Sequence, residues 1–297
     1  MSIFELAAVT AAMTWAMTGL LAAGPSSAMG AIAFNRLRMA IVLVMLALVV
    51  AFTGGWRTLE TVYLLPVVLS GFIGIFMGDT ALFLTMNRLG PRRTNILFST
   101  NAPMAALLGW LVLGETITGQ KIVGIAIVFS GVILAIVFGK RRSQMHTWET
   151  VKGPLPVGIA LGLTAALCQA VGSLIARPVM ESGVDPVAAS TVRVGVAVLA
   201  LSALIATGWK AVQPKVRPTL RMTAQTGLSG LLGMGIGMTL ILFALSGGKV
   251  GIVATLSATT PAWILPLIWL RTQERPAAFA WAGAALVILG SGLIFAA

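Results

Sequence analysis

Residues 70–80 read Ser70-Gly71-Phe72-Ile73-Gly74-Ile75-Phe76-Met77-Gly78-Asp79-Thr80, and residues 229–239 read Ser229-Gly230-Leu231-Leu232-Gly233-Met234-Gly235-Ile236-Gly237-Met238-Thr239. Five small residues recur between the two stretches at a constant spacing of 159: Ser70 with Ser229, Gly71 with Gly230, Gly74 with Gly233, Gly78 with Gly237, and Thr80 with Thr239. The same spacing links Glu115 to Glu274, Gly124 to Gly283 and Gly131 to Gly290, while Pro103 and Pro261 match one residue short of it. Thr10-Ala11-Ala12-Met13-Thr14-Trp15-Ala16 resembles Thr164-Ala165-Ala166-Leu167-Cys168-Gln169-Ala170, and Arg36 matches Arg193, each four residues before an alanine. A series that keeps its order over this length is an internal duplication.

The surroundings of the repeated stretch fix the class. Hydrophobic residues make up 58% of the 297-residue chain and charged residues 9%, against roughly 45–50% and 25% in a soluble domain. So few charges cannot cover a water-facing surface. A helix crossing a ~30 Å hydrocarbon core needs about 20 mainly apolar residues. Ten such segments can be bounded: 3–23, 32–52, 63–85, 95–113, 121–138, 156–176, 187–207, 226–246, 251–270 and 277–296. The alternating ten-residue pattern of a membrane β-barrel does not occur. The first segment has no Lys or Arg ahead of it and a long apolar run, so it reads as a membrane helix and not as a signal peptide. The expected fold is all-α and membrane-integral, with ten helices arranged as two five-helix repeats, 3–138 and 156–296, joined by a basic loop, 139–155.

The charge of +12 follows orientation and not nucleic-acid binding, because no soluble basic domain exists to hold a nucleic acid. One set of alternating connections carries Arg88, Arg92, Arg93, Lys140, Arg141, Arg142, Lys152, Lys210, Lys215, Arg217, Arg221, Arg271 and Arg275. The opposite set carries only Arg57, Lys121, Arg177 and Lys249. The richer set belongs in the cytoplasm, which puts both termini outside. An odd number of helices per repeat then makes the second half inverted relative to the first. Inverted repeats are the architecture of secondary transporters that alternate access around a central cavity.

Within the spans, Ser70-x3-Gly74-x3-Gly78 and Ser229-x3-Gly233-x3-Gly237 are expected to be helix-packing ridges, since close backbone approach replaces the hydrophobic effect in lipid. Polar groups inside a bilayer are costly and mark function. Asp79 is the one acidic residue inside a span; it reads either as a proton-coupling group or as the partner of Arg36, Arg38 or Arg93 in a locking ion pair. Arg36 and Arg193 are candidate cavity residues for an anionic group, whereas Arg38 is expected to snorkel to the interface. Trp15 and Gln169, at matching places, and the amides Asn35, Asn95 and Asn101 are further candidates for binding a small amphipathic solute. Pro103 and Pro261 are expected to bend their helices around the cavity.

The pattern Gly78-Asp79-Thr80, then Arg88-Leu89-Gly90-Pro91-Arg92-Arg93, then Pro103, then Leu113-Gly114-Glu115 resembles the EamA-type domain of the drug/metabolite transporter superfamily, in two copies. The resemblance implies a ten-helix exporter or exchanger of amino acids, metabolites, drugs or nucleotide sugars in the plasma or inner membrane of a prokaryote. It implies small-molecule substrate and lipid as partners, with protons as a coupling ion. The second copy departs from the pattern, with Met238 in place of Asp79 and Thr272-Gln273-Glu274 in place of Leu113-Gly114-Glu115.

A lipid or lipid-linked sugar flippase of the same superfamily is the nearest alternative function. An intramembrane enzyme is disfavoured: an aspartyl protease needs two membrane aspartates, and a serine protease of the rhomboid kind needs a membrane histidine. The sole histidine, His146, falls in the basic loop. With Cys168 the only cysteine, neither a disulfide nor a metal centre is expected, nor any cofactor.

Overall fold

The computed structural model describes residues 2–114, 116–139, 150–247, 253 and 256–296. The cluster Lys140, Arg141 and Arg142, with His146 and Glu149, lies outside the described residues, as do Glu115 and Lys249. Among the described residues every regular element is helical. In chain order the α-helices are α1 (Ile3–Met29), α2 (Ala31–Thr53), α3 (Thr61–Ser70), α4 (Gly78–Phe98), α5 (Asn101–Leu113), α6 (Gly119–Ile133), α7 (Leu155–Glu181), α8 (Pro186–Ala206), α9 (Leu220–Gly230), α10 (Thr239–Gly247), α11 (Thr260–Thr272) and α12 (Ala278–Phe295). Among the described residues seven helical runs are long and apolar enough to cross a membrane, and 101–112 and 278–294 are shorter apolar helices.

Four helices, α1, α6, α8 and α9, begin where a short polar side chain takes up a free backbone N–H group. Ser2 and Glu5 form a reciprocal cap at the head of α1, with the Glu5 N–H donating to Ser2 Oγ at 3.2 Å. Asp185 Oδ1 accepts from the Ala188 N–H at 2.8 Å at the head of α8. Side chains on the outer faces are large and apolar; Leu48, Leu111, Leu199 and Leu270 are all exposed. Exposed apolar surface of this extent suits lipid and not water.

Three interruptions depart from the sequence reading. The run from α3 into α4 is one 38-residue helical run, Thr61–Phe98. It is broken at Gly90, whose φ of 79° and ψ of 168° only glycine adopts without strain. The fourth segment therefore starts at Pro91 and not at residue 95. Downstream, turns interrupt the helices at Ser99–Thr100 and again at Ala258–Thr259. Pro103 and Pro261 were expected to bend their helices mid-way; instead they sit in the first turns of α5 and α11, just past these breaks. The physical reason is that proline is tolerated in a first helical turn, where its missing N–H is not needed.

The repeated stretches share a local distortion. Gly71–Met77 and Leu231–Met238 are both π-helical, at equivalent places after α3 and α9. A π turn widens the helix and leaves carbonyls free, and such turns concentrate at functional sites. A third π stretch, Leu134–Phe138, has its Ala135 carbonyl taken up by Arg92 Nη1 at 2.8 Å.

The contacts across the repeat are reciprocal. Ser70 Oγ donates to the Gly172 carbonyl at 2.7 Å, and Thr18 Oγ1 donates to the Ser229 carbonyl at 3.2 Å. A Cβ on Gly74 would meet Arg193 Nη2 at 3.2 Å and Gly172 Cα at 3.4 Å; one on Gly233 would meet Arg38 Nη2 and Thr18 Oγ1. Between α6 and α12, a Cβ on Gly124 would lie 2.8 Å from the Gly290 carbonyl, and one on Gly131 2.7 Å from the Gly283 carbonyl. The four glycines thus form two crossed pairs on antiparallel helices. Each repeat inserts its small-residue ridge into the other.

The ends of the bundle also sort consistently. At one end the Lys152 N–H donates to the Arg88 carbonyl at 2.8 Å, and the Lys215 N–H to the Met29 carbonyl at 3.1 Å. At the other end the Asp185 N–H donates to Thr58 Oγ1 at 2.8 Å. Alternating connections therefore gather at opposite ends.

Candidate functional site

A cavity lies at the middle of the bundle where the two repeats meet. Its walls include Trp15, Thr18 and Gly19 from α1, Arg38 from α2, Asp79, Phe83, Met86, Asn95 and Phe98 from α4, and Gln169 from α7. Gly233, Met234 and Met238 of the second π stretch and Thr260 at the head of α11 complete it. The cavity volume between these walls is about 50 Å³. The second π stretch and the residues flanking both helix breaks, Phe98 and Thr260, border this region, so part of the irregular backbone lines a cavity.

Arg38 and Asp79 form the charged centre. Arg38 Nη1 donates to Asp79 Oδ2 at 2.8 Å, and both side chains are almost fully buried. The Arg38 guanidinium also lies over the Phe83 ring, 5.1 Å from its centroid. Phe83 is held in turn by an edge contact with Phe34 at 4.8 Å. A charge-assisted hydrogen bond plus an aromatic face fixes the arginine in one orientation. Trp15 is fixed by its indole Nε1, which donates to the Gly233 carbonyl at 3.0 Å, and by an edge contact with Phe98 at 6.3 Å. That bond uses a carbonyl in the π stretch of the opposite repeat.

The structure corrects the arginine register. Arg38, expected at the interface, is buried and takes the inward position. Arg36, expected in the cavity, is exposed, and its Nε donates to Ser202 Oγ at 3.1 Å. The two are about 200° apart around the helix, so only one can face inward. Arg38 touches Gly230 and Gly233 as Arg193 touches Gly71 and Gly74; the true counterpart of Arg193 is therefore Arg38, at a spacing of 155.

Of the other candidates, Trp15, Asn95, Gln169 and Asp79 come together at the cavity. Asn95 Nδ2 donates to the Pro91 carbonyl at 2.8 Å, and Gln169 Nε2 to Ser173 Oγ at 3.4 Å. Asn101 is not on the wall: its Nδ2 donates to the Phe98 carbonyl at 2.7 Å, closing the helix break. Asn35 is fully buried off the wall, with neither amide atom hydrogen-bonded. Arg193 is buried beside Gly74 and not on the wall itself. The ridge residues Ser70, Gly74, Gly78, Ser229, Gly233 and Gly237 are buried at the contacts between repeats. Phe83, Phe98 and Met234 were missed by sequence reasoning; Met238 was read only as the residue in Asp79's place, and Arg38 only as one of three possible ion-pair partners of Asp79, the one the structure shows. Among the described residues no group of His, Cys, Asp and Glu is placed to hold a metal ion.

The model of the EamA-like transporter family matches this sequence twice, over residues 2–137 and 156–296. No curated protein matches it. One solved structure, described only as "Crystal structure of protein", aligns with a TM-score of 0.72 over 98% of this chain and 95% of its own, at 18% identity. At that identity the likeness speaks for the fold alone.

Proposed function

Because the chain belongs to the EamA-like transporter family, a family of multi-pass membrane transporters, we propose that it carries a small amphipathic metabolite, about the size of an amino acid, by alternating access. In this reading ten helices cross the membrane. The seven long apolar runs supply most of them, Gly90 divides one run into two crossings, and the shorter or interrupted helices supply the rest. The two repeats are inverted, the basic connections face the cytoplasm, and both termini face away from it. The reciprocal insertion of one ridge into the other supports this arrangement, because inverted halves must make each contact twice.

The observation that carries the proposal is the Arg38–Asp79 pair on the wall of a mainly apolar cavity. Trp15, Phe83, Phe98, Met86, Met234 and Met238 offer a solute an apolar face, and the pair offers it charge. Asp79 is the coupling group: proton transfer to its carboxylate removes the charge that holds Arg38 and frees the Arg38 guanidinium to move. Because Arg38 also rests on Gly233 of the other repeat, its release loosens the contact along which the repeats exchange arrangements. Purified protein in vesicles with an imposed pH gradient, offered anionic, zwitterionic and cationic amphipaths, tests the proposal. Flux of at least one class above that of protein-free vesicles is expected. Flux of none would overturn it.

A further inference from the structure

We infer that a hollow at the basic end of the bundle, where Arg88, Lys152 and Lys215 meet, holds the phosphate headgroup of an anionic phospholipid. The site is separate from the central cavity and concerns binding alone, so it stands or falls independently of transport. The hollow lies where α1 gives way to α2, beside the loops at 150–153 and 211–215, and its volume is about 410 Å³. That is within the roughly 300–1,000 Å³ of small-molecule sites. Arg88, Lys152 and Lys215 line it, and among the described residues no Asp or Glu does.

The three cations are gathered by the fold and not by a counter-charge. The Lys152 N–H donates to the Arg88 carbonyl at 2.8 Å, and a Cβ on Gly153 would meet Arg88 Nη1 at 3.2 Å, so the guanidinium lies beside that turn. A Cβ on Gly30 would meet Lys215 Cγ and Cε at 3.8 Å, so the lysine stem crosses the head of α2. Lys152 Nζ donates to Ser27 Oγ at 3.4 Å, a neutral contact. Among the described residues none of the three is paired with a carboxylate. Like charges in one hollow repel, and a phosphate relieves them together, because arginine takes two of its oxygens and each lysine acts as a point charge. Arg88 belongs to the first repeat and Lys215 to the second, so a bound headgroup clasps both.

The apolar walls favour a lipid over a soluble phosphate. Ile32, Ala33 and Leu84 also line the hollow. Leu84 precedes Arg88 by one turn on the same face of α4, and Met77, two turns before Leu84 on that face, is exposed. From Arg88 to Met77 the helix offers an apolar track of about 16 Å to an acyl chain. A basic pocket between membrane helices, with an apolar face leading from it, matches an anionic lipid in both its parts. A free phosphate would use only the charged rim.

The test titrates the purified full-length protein, in a neutral detergent at constant ionic strength, with phosphatidylglycerol, phosphatidylcholine, glycerol phosphate and inorganic phosphate while thermal unfolding is followed. Phosphatidylglycerol should raise the unfolding midpoint saturably and remain on the chain in native mass spectrometry, and the other three should do neither. The triple variant Arg88→Gln, Lys152→Gln and Lys215→Gln should bind it at least tenfold more weakly. A second triple variant, Lys210→Gln, Arg217→Gln and Arg221→Gln, removes as much charge from exposed positions that do not line the hollow, and should bind as the wild type does. If the first triple variant does not fold, Lys215→Gln alone, an exposed change, reports in its place with a loss of at least threefold. No stabilisation by phosphatidylglycerol, or equal stabilisation by phosphatidylcholine, would overturn the inference. An equal loss in the two triple variants would do the same, by reducing the site to general attraction between a basic face and an anionic lipid. Stabilisation by glycerol phosphate or inorganic phosphate as large as that by phosphatidylglycerol would give the hollow to a soluble anion and overturn the lipid assignment.

Discussion

Arg38 and Arg193 occupy matching places in the two repeats, each laid against glycines of the opposite repeat, yet among the described residues it is Arg38, and not Arg193, that forms a direct ion pair with Asp79. Packing is symmetric and charge is not. The difference separates two demands on a duplicated membrane protein. On the proposed transport reading, contacts that let halves exchange arrangements have to be made twice, which fits the small residues kept on both sides at Ser70–Gly78 and Ser229–Gly237 and in the crossed pairs Gly124–Gly290 and Gly131–Gly283. A coupling charge needs to be present once, and a second buried acid would carry a second desolvation cost in lipid.

The largest expected effect tests the symmetric part. Gly131→Leu and Gly283→Leu should each abolish folded yield, as judged by gel filtration after detergent extraction, because a side chain there would enter the backbone of the facing helix. Near-normal yield from one and not the other would show that the contact is not shared equally.

Next comes the asymmetric part. Asp79→Ala leaves Arg38 buried without its partner and should lower stability by about 3–5 kcal/mol, whereas Asp79→Asn keeps the shape and a hydrogen-bond acceptor and should cost less. Asp79→Asn should abolish accumulation driven by a pH gradient while leaving downhill exchange measurable. Uphill accumulation by that variant would remove Asp79 from coupling.

A smaller effect is expected at Trp15. Trp15→Phe loses the bond to the Gly233 carbonyl while keeping an aromatic wall, a cost of about 0.6–2 kcal/mol for a hydrogen bond between membrane helices. Chemical unfolding in mixed micelles measures it. The least is expected of Arg36→Gln, an exposed change that should stay within roughly ±0.5 kcal/mol and leave flux unaltered. A flux defect in that variant as large as in Arg38→Gln would contradict the register assigned to α2.

Sequence made the packing legible because lipid leaves few chemical routes to close helix contact, and glycine spacing records the one used here. It located Asp79, since an acid within an apolar run stands out. It could not choose between Arg36 and Arg38: they are two residues apart in an apolar helix with little amphipathic contrast, and the Arg36–Arg193 match at 157 competed with the 155 spacing that contacts reveal. Helix breaks were legible only as prolines. Pro103 and Pro261 marked the neighbourhood, but the turns that interrupt the helices come a few residues earlier, at Ser99–Thr100 and Ala258–Thr259, where no residue type signals them. The π stretches left no composition signal beyond the glycines. Phe83 and Phe98 read as ordinary apolar residues, and only their placement beside Arg38 and Trp15 makes them part of the site.

The claim on which the rest depends is that the two repeats exchange arrangements about the cavity. With Cys168→Ala as background, spin labels at Ala28 and Thr150 report the basic end, and labels at Glu60 and Ser246 report the opposite end; all four are exposed. Electron–electron distance distributions are recorded in lipid nanodiscs with and without a transported solute, and across pH. The account predicts opposite changes, one pair shortening as the other lengthens. Two distributions that stay fixed, or that move in the same sense, would contradict it.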